Sequence, residues 1–386
     1  MMSAAQQVER PPAEDSARPQ VLLVSKPVVP PWNDSGKNLA RDLARHGSRF
    51  AYRVLTVPGF LPEGGHVVGE PIYRDGGRHA PALLANLRVF RRLLRRDEVA
   101  LRHFLFAPNP RASAAARLAG LLRRTPTVLT VVSFPRDDRG LGALAFGDRV
   151  VTLSEHGGHR LLRAGLSASR LRHIPPGVDI GPPPSPGQRL AARARRGLDA
   201  APLVLFAGDY EFSSGAQTFA RAIPRVLAQG PATFVFACRP KTAQAAREEA
   251  GVREILSKPA VRSRVRFEGH VDDILDLVAA SALCVMPSES VFAKSDLPLV
   301  LLEALARGVP LVVADVDPLR EVLRGGGGVA VPPRAPEALA EVVAGLLGDG
   351  NRHRILSEAA RAAAERHFDV TRMAQSYEDL YAELLC

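Results

Sequence analysis

Residues 282–314 of the chain read ALCVMPSESVFAKSDLPLVLLEALARGVPLVVA, and this stretch decides the fold. An apolar run over Ala282–Met286 has the length of a buried strand and ends at a proline and a serine. A polar loop follows, and an apolar helix pattern then begins at Pro298. After Gly308 a second apolar run over Leu311–Ala314 completes a unit of strand, helix and strand. Units of this kind are typical of parallel sheets flanked by helices.

The start of the helix after Pro298 is suited to binding an anion. Proline is well placed in the first turn of a helix, because its missing N–H would have no partner there. The N–H groups around Leu299 and Val300, together with the helix dipole, favour a negatively charged group. Glu303 lies about a turn and a half further along, within reach of a ligand that crosses the helix end. A phosphate-bearing ligand with an attached hydroxylated sugar fits this arrangement.

Apolar, β-branched runs alternate with amphipathic segments along the chain. The predicted strands are Val21–Ser25, Tyr52–Val57, Phe104–Phe106, Thr127–Val132, Val150–Leu153, Leu203–Ala207, Thr233–Cys238, Val265–Glu268, Ala282–Met286, Leu311–Ala314 and Val329–Val331. The predicted helices include Lys37–His46, Pro81–Arg96, Ala112–Arg123, Gln217–Ala228 and Val370–Leu385. This alternation predicts an α/β protein with two Rossmann-like, doubly wound domains facing a cleft, with ligands beyond the carboxyl ends of the strands.

A cluster of prolines separates the two halves. Pro175–Asp179 and Pro182–Pro186 read as a linker, because proline does not suit the interior of a helix or strand. The predicted organisation is a disordered tail over 1–18, a first Rossmann-like domain over 19–180, a linker over 181–200, a second Rossmann-like domain over 201–366, and a C-terminal helix over 367–386, for which crossing back to the first domain is an alternative.

Size and composition fit a globular protein with two cores. The chain has 386 residues, of which 46% are hydrophobic and 24% charged. No apolar run reaches the ~18 residues of a membrane span, and the N-terminal residues lack the apolar core of a signal peptide. Cys238, Cys284 and Cys386 show no metal-binding spacing, and their odd number does not suggest a disulfide framework. These features predict a reducing, cytoplasmic location.

The charge is strongly basic, and most of the basic residues are arginine. The formal charge of +11 comes from 51 basic and 40 acidic residues. Arg88–Arg96 forms a basic amphipathic segment, for which a solvated helix face is the simplest interpretation and peripheral contact with anionic lipid is the alternative. No nucleic-acid partner is predicted, because aromatic residues are not interleaved with the basic ones and no binding module matches.

The stretch over residues 282–314 resembles the donor-site signature of the retaining glycosyltransferases of family 4. In that family a glutamate, seven residues and a second glutamate precede a run of small residues and Gly-Val-Pro. Glu303 matches the second glutamate, and Ala304–Pro310 matches the run that follows. Ser295 stands at the position of the first glutamate. The resemblance implies two Rossmann-like domains of the GT-B fold, with the acceptor mainly on the first and the nucleotide sugar mainly on the second.

Other ordered motifs extend the resemblance over most of the chain. Val150–Ser154 and His173–Asp179 look like the end of the family's first domain. Phe267–Val271 resembles the family's Phe-x-Gly-x-Val turn near the nucleobase, which implies that Val271 contacts the donor. Glu321 has the place expected near the family's final strand and helix.

The resemblance implies roles for individual residues around the helix. The family glutamate that matches Glu303 binds the ribose hydroxyls of the nucleotide; the alternative is a helix acid that complements the dipole. Lys294 and Asp296 flank the position of the first glutamate. Lys294 is a candidate for contact with the diphosphate and Asp296 for holding a sugar hydroxyl, with a solvated loop as the alternative.

Basic residues that grip the phosphates in the family are missing from their usual place. That place reads Gly208–Gly215 here, with Ser214 where a lysine is expected. Arg239 and Lys241, after the predicted strand Thr233–Cys238, are candidate replacements, and ordinary surface charge is the alternative.

Gly36 lies after the first predicted strand and opens a helix. Glycine allows a backbone to approach a ligand closely, and family members are glycine-rich here, so Gly36 is predicted to contact a substrate. A plain turn glycine is the alternative. The family often has a histidine after the fourth strand, where this chain has Ser133–Pro135, so no histidine is assigned that role.

The sequence therefore predicts a retaining, metal-independent glycosyltransferase with a nucleoside diphosphate sugar as donor substrate, a hydroxyl or amine acceptor and no cofactor. Helix N-termini, lysine and arginine can stabilise the departing diphosphate. The resemblance implies that this phosphate helps to deprotonate the acceptor on the same face of the sugar. The alternatives are a non-catalytic nucleotide-sugar-binding protein and a basic membrane- or nucleic-acid-binding protein that uses Arg88–Arg96.

Overall fold

The computed structural model describes residues 18–76, 83–96, 98–240, 242–269, 271 and 273–386. The predicted tail, except for Arg18, and Lys241 lie outside these residues. Contacts divide the chain into two compact units: the first comprises Met1–Val131, Ala143–Val151 and Ala374–Cys386, and the second comprises Val132–Gly142 and Thr152–Met373. The predicted domain boundaries stay predictions.

The first of two parallel sheets in the described residues has seven strands. They are β1 (Gln20–Val24), β2 (Ala51–Thr56), β3 (Val67–Pro71), β4 (Val99–Phe106), β5 (Thr127–Val131), β6 (Arg149–Thr152) and β7 (Leu171–His173). Their order is β3-β2-β1-β4-β5-β6-β7. The direction of strand addition therefore reverses next to β1, which defines a doubly wound sheet.

The second sheet repeats this pattern with six strands. They are β8 (Leu203–Phe206), β9 (Thr233–Ala237), β10 (Val265–Glu268), β11 (Leu283–Met286), β12 (Leu311–Ala314) and β13 (Gly328–Val331). Their order is β10-β9-β8-β11-β12-β13. The side chains of β8, β11 and β12 are buried throughout, because helices cover both faces of the sheet.

Helices follow most of the strands. Within the described residues they are α1 (Ser35–His46), α2 (Leu83–Leu93), α3 (Pro110–Arg123), α4 (Leu141–Leu144), α5 (Glu155–Arg163), α6 (Pro186–Arg195), α7 (Gly215–Leu227), α8 (Ala243–Ile255), α9 (Pro259–Arg262), α10 (Ile274–Ala280), α11 (Leu299–Ala306), α12 (Pro336–Gly348), α13 (Gly350–His367) and α14 (Val370–Leu385). Short 3-10 turns occur at Ala168–Arg170 and Leu319–Leu323. In the described part of the chain, no helix is both long and apolar enough to cross a membrane.

The predicted α/β class with two doubly wound sheets is confirmed. Every predicted strand occurs with adjusted ends, and β4 is longer than the predicted Phe104–Phe106. The structure adds β3 and β7, which are short and contain glycine, proline or charged residues in place of an apolar run. It also places α6 inside the predicted linker, where Pro186 is the first helical residue and Ser185 forms a capping box.

Buried polar contacts attach α14 to the first unit. The hydroxyl of Tyr381 lies 2.6 Å from Nδ1 of His103, and both residues are fully buried. Burial lowers the pKa of His103 to about 3, so its ring is neutral. The carboxylate of Glu378 accepts the hydroxyl of Tyr52 at 2.9 Å and the backbone N–H of Ser48 at 2.8 Å. These bonds satisfy groups that would otherwise be costly to bury.

Candidate active site

The loops after β8 and β11 lie at the point where the second sheet reverses its order. Ligands of doubly wound sheets usually bind there, beyond the carboxyl ends of the strands. The loop after β8 carries Asp209 and Ser214, and the loop after β11 carries Glu289, Lys294 and Asp296. Together with the first turn of α5, these two loops supply most of the polar groups described below.

The first turn of α11 presents N–H groups that no side chain of the described residues caps. The helix begins at Leu299, and Pro298, which was predicted as its first residue, is its N-cap. Leu299 and Val300 are half-buried at this end. Beside them Ser295 is 4% exposed, and its Oγ has no hydrogen-bond partner in the described part of the chain. Buried polar groups are usually satisfied, so these groups are suited to a ligand.

Asp296 is a buried carboxylate at 3% exposure, and Ser154 Oγ donates a hydrogen bond to it at 2.5 Å. Burial raises the pKa of Asp296 to about 6; the bond from Ser154 and the charge of Arg160 oppose this rise, and the charge of Glu321 adds to it. The close approach depends on Gly157, where a Cβ would lie 2.6 Å from Asp296 Oδ2. The carboxylate is therefore ionised above about pH 6 and held in one place.

Ser154 is itself fixed at the start of α5. It is the N-cap residue, and its Oγ accepts the N–H of Gly157 at 2.8 Å. The carboxylate of Glu321 accepts the N–H groups of Glu155 and His156, each at 2.8 Å. The positive end of the helix dipole favours this carboxylate. The first three N–H groups of α5 are thus satisfied by the chain's own oxygen atoms.

The start of α7 is likewise occupied by a carboxylate. Glu289 accepts hydrogen bonds from the N–H of the N-cap residue Ser214 at 3.0 Å and from its Oγ at 2.8 Å. Arg334 lies 3.1 Å from the same carboxylate. Burial opposes ionisation of Glu289, but hydrogen bonds from its own N–H, from Ser214 and from Arg334 hold its pKa below the usual value. An acid of this chain thus contacts the position where the family resemblance led us to expect a lysine.

Lys294 forms an ion pair with Asp209, and each side chain is less than one fifth exposed. Burial lowers the pKa of Lys294 to about 8. Asp209 also accepts the N–H of Phe212 at 2.7 Å. Lys294 therefore tethers the loop after β11 to the loop after β8, and its contact with a diphosphate stays a prediction.

A cavity of about 630 Å³ lies beside Asp296 in the second unit, within the size range of small-molecule sites. Its aromatic lining consists of Phe134, Phe212 and Phe292. Its basic lining consists of Arg136, His156, Arg160, Arg163 and Arg334. Its carboxylates are Asp137, Asp138, Glu289, Asp296 and Asp317. Ionisable residues therefore outnumber aromatic ones in this lining, which suits a polar ligand.

Neighbouring carboxylates neutralise part of the basic lining. Arg160 pairs with Asp138 at 2.6 Å, and Arg334 pairs with the glutamate at the start of α7. Arg136 instead lies over the ring of Phe292, with its guanidinium carbon 4.6 Å from the ring centre. No carboxylate in the described part of the chain pairs with Arg136, which is an exposed residue of the cavity lining.

Glu303 is the fifth residue of α11 and is half-buried. The dipole interpretation is weak for this residue, because the effect is confined to the first turn of a helix. Burial lowers the pKa of Arg307, and the charge of Glu303, one turn before it, opposes that change. The same charge adds to the burial that raises the pKa of Cys284 to about 12. Contact between Glu303 and a ribose stays a prediction.

The other predicted site residues are spread over both units. Arg239 and Val271 lie in the loops after β9 and β10 and are not part of the cavity lining. Gly36 is the second residue of α1 in the first unit, where a Cβ would lie 2.9 Å from the carbonyl oxygen of Leu105. Close packing on β4 thus explains this glycine without a ligand, and its contact with a substrate stays a prediction.

Sequence reasoning assigned no role to Ser154, Gly157, Glu289 or Arg136. Ser154 carries a usable signal, because it directly follows a strand and precedes a helix, where ligand-binding and N-cap residues both occur. The sequence carries no comparable signal for the other three, since their partners come from distant segments.

Comparisons with known proteins agree with this geometry. A family model described as "Glycosyltransferase Family 4" matches residues 36–181, and one described as "Glycosyl transferases group 1" matches residues 201–349. The chain therefore belongs to the family 4-like glycosyltransferases with the GT-B fold.

Particular relatives are more distant. The chain is 32% identical over 258 residues to a D-inositol 3-phosphate glycosyltransferase of Xylanimonas cellulosilytica, a match that covers 62% of this chain and 58% of that protein. The crystal structure of Anabaena Alr3699/HepE in complex with UDP and glucose matches this chain with a TM-score of 0.75 at 20% identity. The match covers 95% of this chain and 100% of the Anabaena chain. Sucrose-phosphate synthase from Thermosynechococcus elongatus has a TM-score of 0.74 at 22% identity, with 95% and 99% covered.

Proposed function

We propose that this protein is a retaining, metal-independent glycosyltransferase that moves a sugar from a nucleoside diphosphate sugar to a hydroxyl or amine acceptor. The observation that carries the proposal is the start of α11, where N–H groups without a side-chain cap lie on the same loop as the buried, cavity-lining Asp296. Membership of the family and the kinds of relatives that match the chain support it.

The diphosphate would bind at the first turn of α11. The N–H groups of Leu299 and Val300 and the helix dipole favour an anion there. Arg136, on the cavity wall, would supply positive charge as the leaving group departs. These groups would replace the basic pair that is missing from Gly208–Gly215. Glu303 would accept hydrogen bonds from the ribose hydroxyls, as the family resemblance implies.

Asp296 would hold a hydroxyl of the donor sugar. A buried carboxylate binds a hydroxyl strongly, because a charged acceptor gives a short, charge-assisted hydrogen bond. Ser154 Oγ donates its hydrogen bond to Oδ2 of Asp296. The other carboxylate oxygen, Oδ1, would accept the hydrogen bond from the sugar hydroxyl. Since the pKa of Asp296 is about 6, this function needs a pH above that value.

The proposed reaction needs no protein nucleophile. The bond between the anomeric carbon and the diphosphate oxygen breaks, and a bond from that carbon to the acceptor oxygen or nitrogen forms on the same face of the sugar. The acceptor proton passes to the departing diphosphate. The protein positions the two substrates and stabilises the charge that develops on the phosphates.

The direct test is a transfer assay with a panel of nucleoside diphosphate sugars. UDP-glucose comes first, because the Anabaena structure contains UDP and glucose. We expect release of the nucleoside diphosphate with either water or an added acceptor, and NMR of the product should show the anomeric configuration of the donor. A product of opposite configuration contradicts the retaining mechanism but leaves sugar transfer intact.

A non-catalytic nucleotide-sugar-binding protein is the second candidate. Two observations favour it: Ser295 replaces the first family glutamate, and Glu289 places a negative charge at the start of α7. Donor binding without turnover, over the whole panel of sugars and acceptors, would support this candidate over the enzyme.

A further inference from the structure

The hydroxyl of Ser154 is the one hydrogen-bond donor to Asp296 in the described part of the chain, and it binds Oδ2. A carboxylate has about four acceptor positions, and within these residues both positions on Oδ1 have no partner. The side chain of Asp296 is buried and belongs to the cavity lining. The orientation of the carboxylate in the cavity therefore depends on its contact with Ser154.

The direction of the Ser154 hydroxyl is fixed. As the N-cap of α5 its oxygen accepts the N–H of Gly157 at 2.8 Å, and its single proton is donated to Asp296. Ser154 is fully buried, so water does not compete for either bond. Hydrogen bonds in such a chain polarise one another, and the positive end of the helix dipole favours the negative charge that ends the chain. One side chain thus connects the backbone of α5 to the carboxylate.

The first turn of α5 is also held from its other side. Glu321 accepts the N–H groups of Glu155 and His156, each at 2.8 Å. Arg324 donates a hydrogen bond at 2.6 Å to the carboxylate of Glu155. Any rotation of the helix start away from the cavity would break these bonds, so the N-cap hydroxyl has a fixed position.

The helix packs against the carboxylate at Gly157, where only glycine fits. A Cβ at this residue would lie 2.6 Å from Oδ2 of Asp296 and 2.7 Å from Cε2 of Phe134. Protein interiors are too densely packed to absorb such contacts without movement of the side chains. A larger residue at position 157 would therefore displace the carboxylate even if the serine hydroxyl were retained.

We propose that Ser154 is a positioning residue of the transfer reaction, which holds Asp296 through the first turn of α5 so that Oδ1 meets a hydroxyl of the donor sugar. Ser154 acts on the substrate only through Asp296. A misplaced substrate costs large factors in rate, because the reacting atoms must be aligned. The effect on catalysis rests on the proposed function, whereas the control of Asp296 by Ser154 can be tested without it.

The charges around Asp296 give the contact a measurable consequence. Burial raises the pKa of Asp296 to about 6, and the charge of Glu321 adds to this rise. The bond from Ser154 and the charge of Arg160, which is paired with Asp138, oppose it. Removal of the hydroxyl should therefore raise the pKa by about one further unit, since a hydrogen bond to a charged group contributes roughly this much.

Carbon-13 NMR of the full chain, labelled at its aspartate carboxyl carbons, measures this titration directly. The signal that disappears in Asp296→Asn belongs to Asp296. We expect its midpoint to rise by about one pH unit in Ser154→Ala and to stay near the parent value in Ser154→Thr, which keeps the hydroxyl. Gly157→Ala should also raise the midpoint, because the added methyl group displaces Oδ2 from the serine.

Ser185→Ala is the matched control. Ser185 is the exposed N-cap of α6, and its side chain accepts the N–H of Gln188. The substitution removes the same kind of capping bond and should lower the unfolding temperature as such losses do. It should leave the midpoint of Asp296 unchanged. Thermal unfolding of each variant separates a moved carboxylate from a lost fold.

The pH profile of UDP-glucose turnover, with water or an added acceptor, gives the functional result. The acid limb for Ser154→Ala should move up by about one pH unit, so that the variant loses about fivefold more activity at pH 6 than at pH 9. Ser154→Thr should restore the parent profile. A role confined to folding would lower the rate by the same factor at every pH.

Two results would overturn the proposal. The first is an unchanged midpoint of Asp296 in folded Ser154→Ala; if that variant does not fold, an unchanged midpoint in Gly157→Ala has the same meaning. The second is a lower turnover in Ser154→Ala with an unshifted pH profile. The expected NMR shift in a protein that turns over no donor would instead contradict the proposed function and support the control of Asp296 by Ser154.

Discussion

The N-terminal ends of α5 and α7 differ from that of α11 in whether a carboxylate of the chain binds there. Both α5 and α7 meet a carboxylate from elsewhere in the chain, Glu321 in the first case and Glu289 in the second. No side chain of the described residues caps α11, whose N-cap is Pro298. All three helices lie in the second unit and carry the same partial positive charge at this end.

This difference shows how one sheet can hold several anion-binding helix ends and leave the end of α11 to a ligand. Where the chain supplies its own carboxylate, the helix start stabilises the fold and positions neighbouring residues such as Ser154. Where it supplies none, the N–H groups are suited to the phosphates of a substrate. The proposed donor site follows from this contrast, with Asp296 next to the uncapped helix.

The largest expected effect follows from neutralising the carboxylate next to α11. Asp296→Asn should lower the turnover of the donor sugar by roughly 10²–10³-fold, as is usual when one buried group that contacts the reacting substrate is lost. Steady-state rates measure this effect. Asp315→Asn, an exposed carboxylate paired with Arg320, is the matched control and should keep the parent rate. An unchanged rate in Asp296→Asn would remove this residue from the mechanism.

The same substitution should stabilise the protein at neutral pH. Burial raises the pKa of Asp296 from 3.8 to about 6, so the folded state binds more protons than the unfolded state between these values, and stability falls as pH rises through them. The cost at pH 7.5 is about 3 kcal/mol at most. Asp296→Asn should therefore unfold at a higher temperature than the parent at pH 7.5 and at nearly the same temperature at pH 3.5. A difference that is constant with pH would contradict this account.

Removing the carboxylate at α5 should destabilise the fold. Glu321→Ala leaves the N–H groups of Glu155 and His156 without their acceptor, which costs about 1–3 kcal/mol. Glu321→Gln retains one acceptor oxygen and should cost less. Thermal unfolding gives both values, and Glu358→Ala, at an exposed glutamate on α13, should stay within about 0.5 kcal/mol of the parent. Equal stability of Glu321→Ala and the parent would show that water replaces the carboxylate without cost.

The smallest effect concerns α7, where removing the carboxylate should make the helix start resemble that of α11. Glu289→Ala should cost about 1 kcal/mol at pH 7, because the N–H and the hydroxyl of Ser214 lose their charged acceptor. The pKa of Glu289 is lowered in the fold, so its contribution to stability is complete above the ordinary glutamate pKa and is lost as pH falls from that value through the lower pKa of the folded state. The variant, unlike the parent, should gain thermal stability from inorganic phosphate. If phosphate stabilises both proteins equally, the contrast between α7 and α11 is wrong.

Sequence patterns predicted the strands and the helix at the proposed donor site well, because both depend on local periodicity. The apolar runs of β8, β11 and β12 are continuous, as buried parallel strands require. The helix containing Glu303 was recognisable from proline at its start and glycine after its end.

The partners of the site residues could not be predicted in this way. Asp296 meets Ser154, which lies 142 residues earlier in the chain, and Glu289 meets Ser214 at a separation of 75 residues. Such pairs are set by how the loops pack against one another, which no local pattern encodes. The ion pair between Lys294 and Asp209 was missed for the same reason, because the two residues are far apart in the sequence.

The most direct test of the account is thermal stabilisation by nucleoside diphosphates and their sugars, measured for the parent protein and for Glu303→Ala. A ligand that binds only the folded state raises its stability. We expect the nucleotides of one nucleobase to raise the unfolding temperature of the parent selectively. This shift should be largely lost in Glu303→Ala. If no nucleotide stabilises the parent with or without candidate acceptors, or if Glu303→Ala responds as the parent does, α11 is not the donor site.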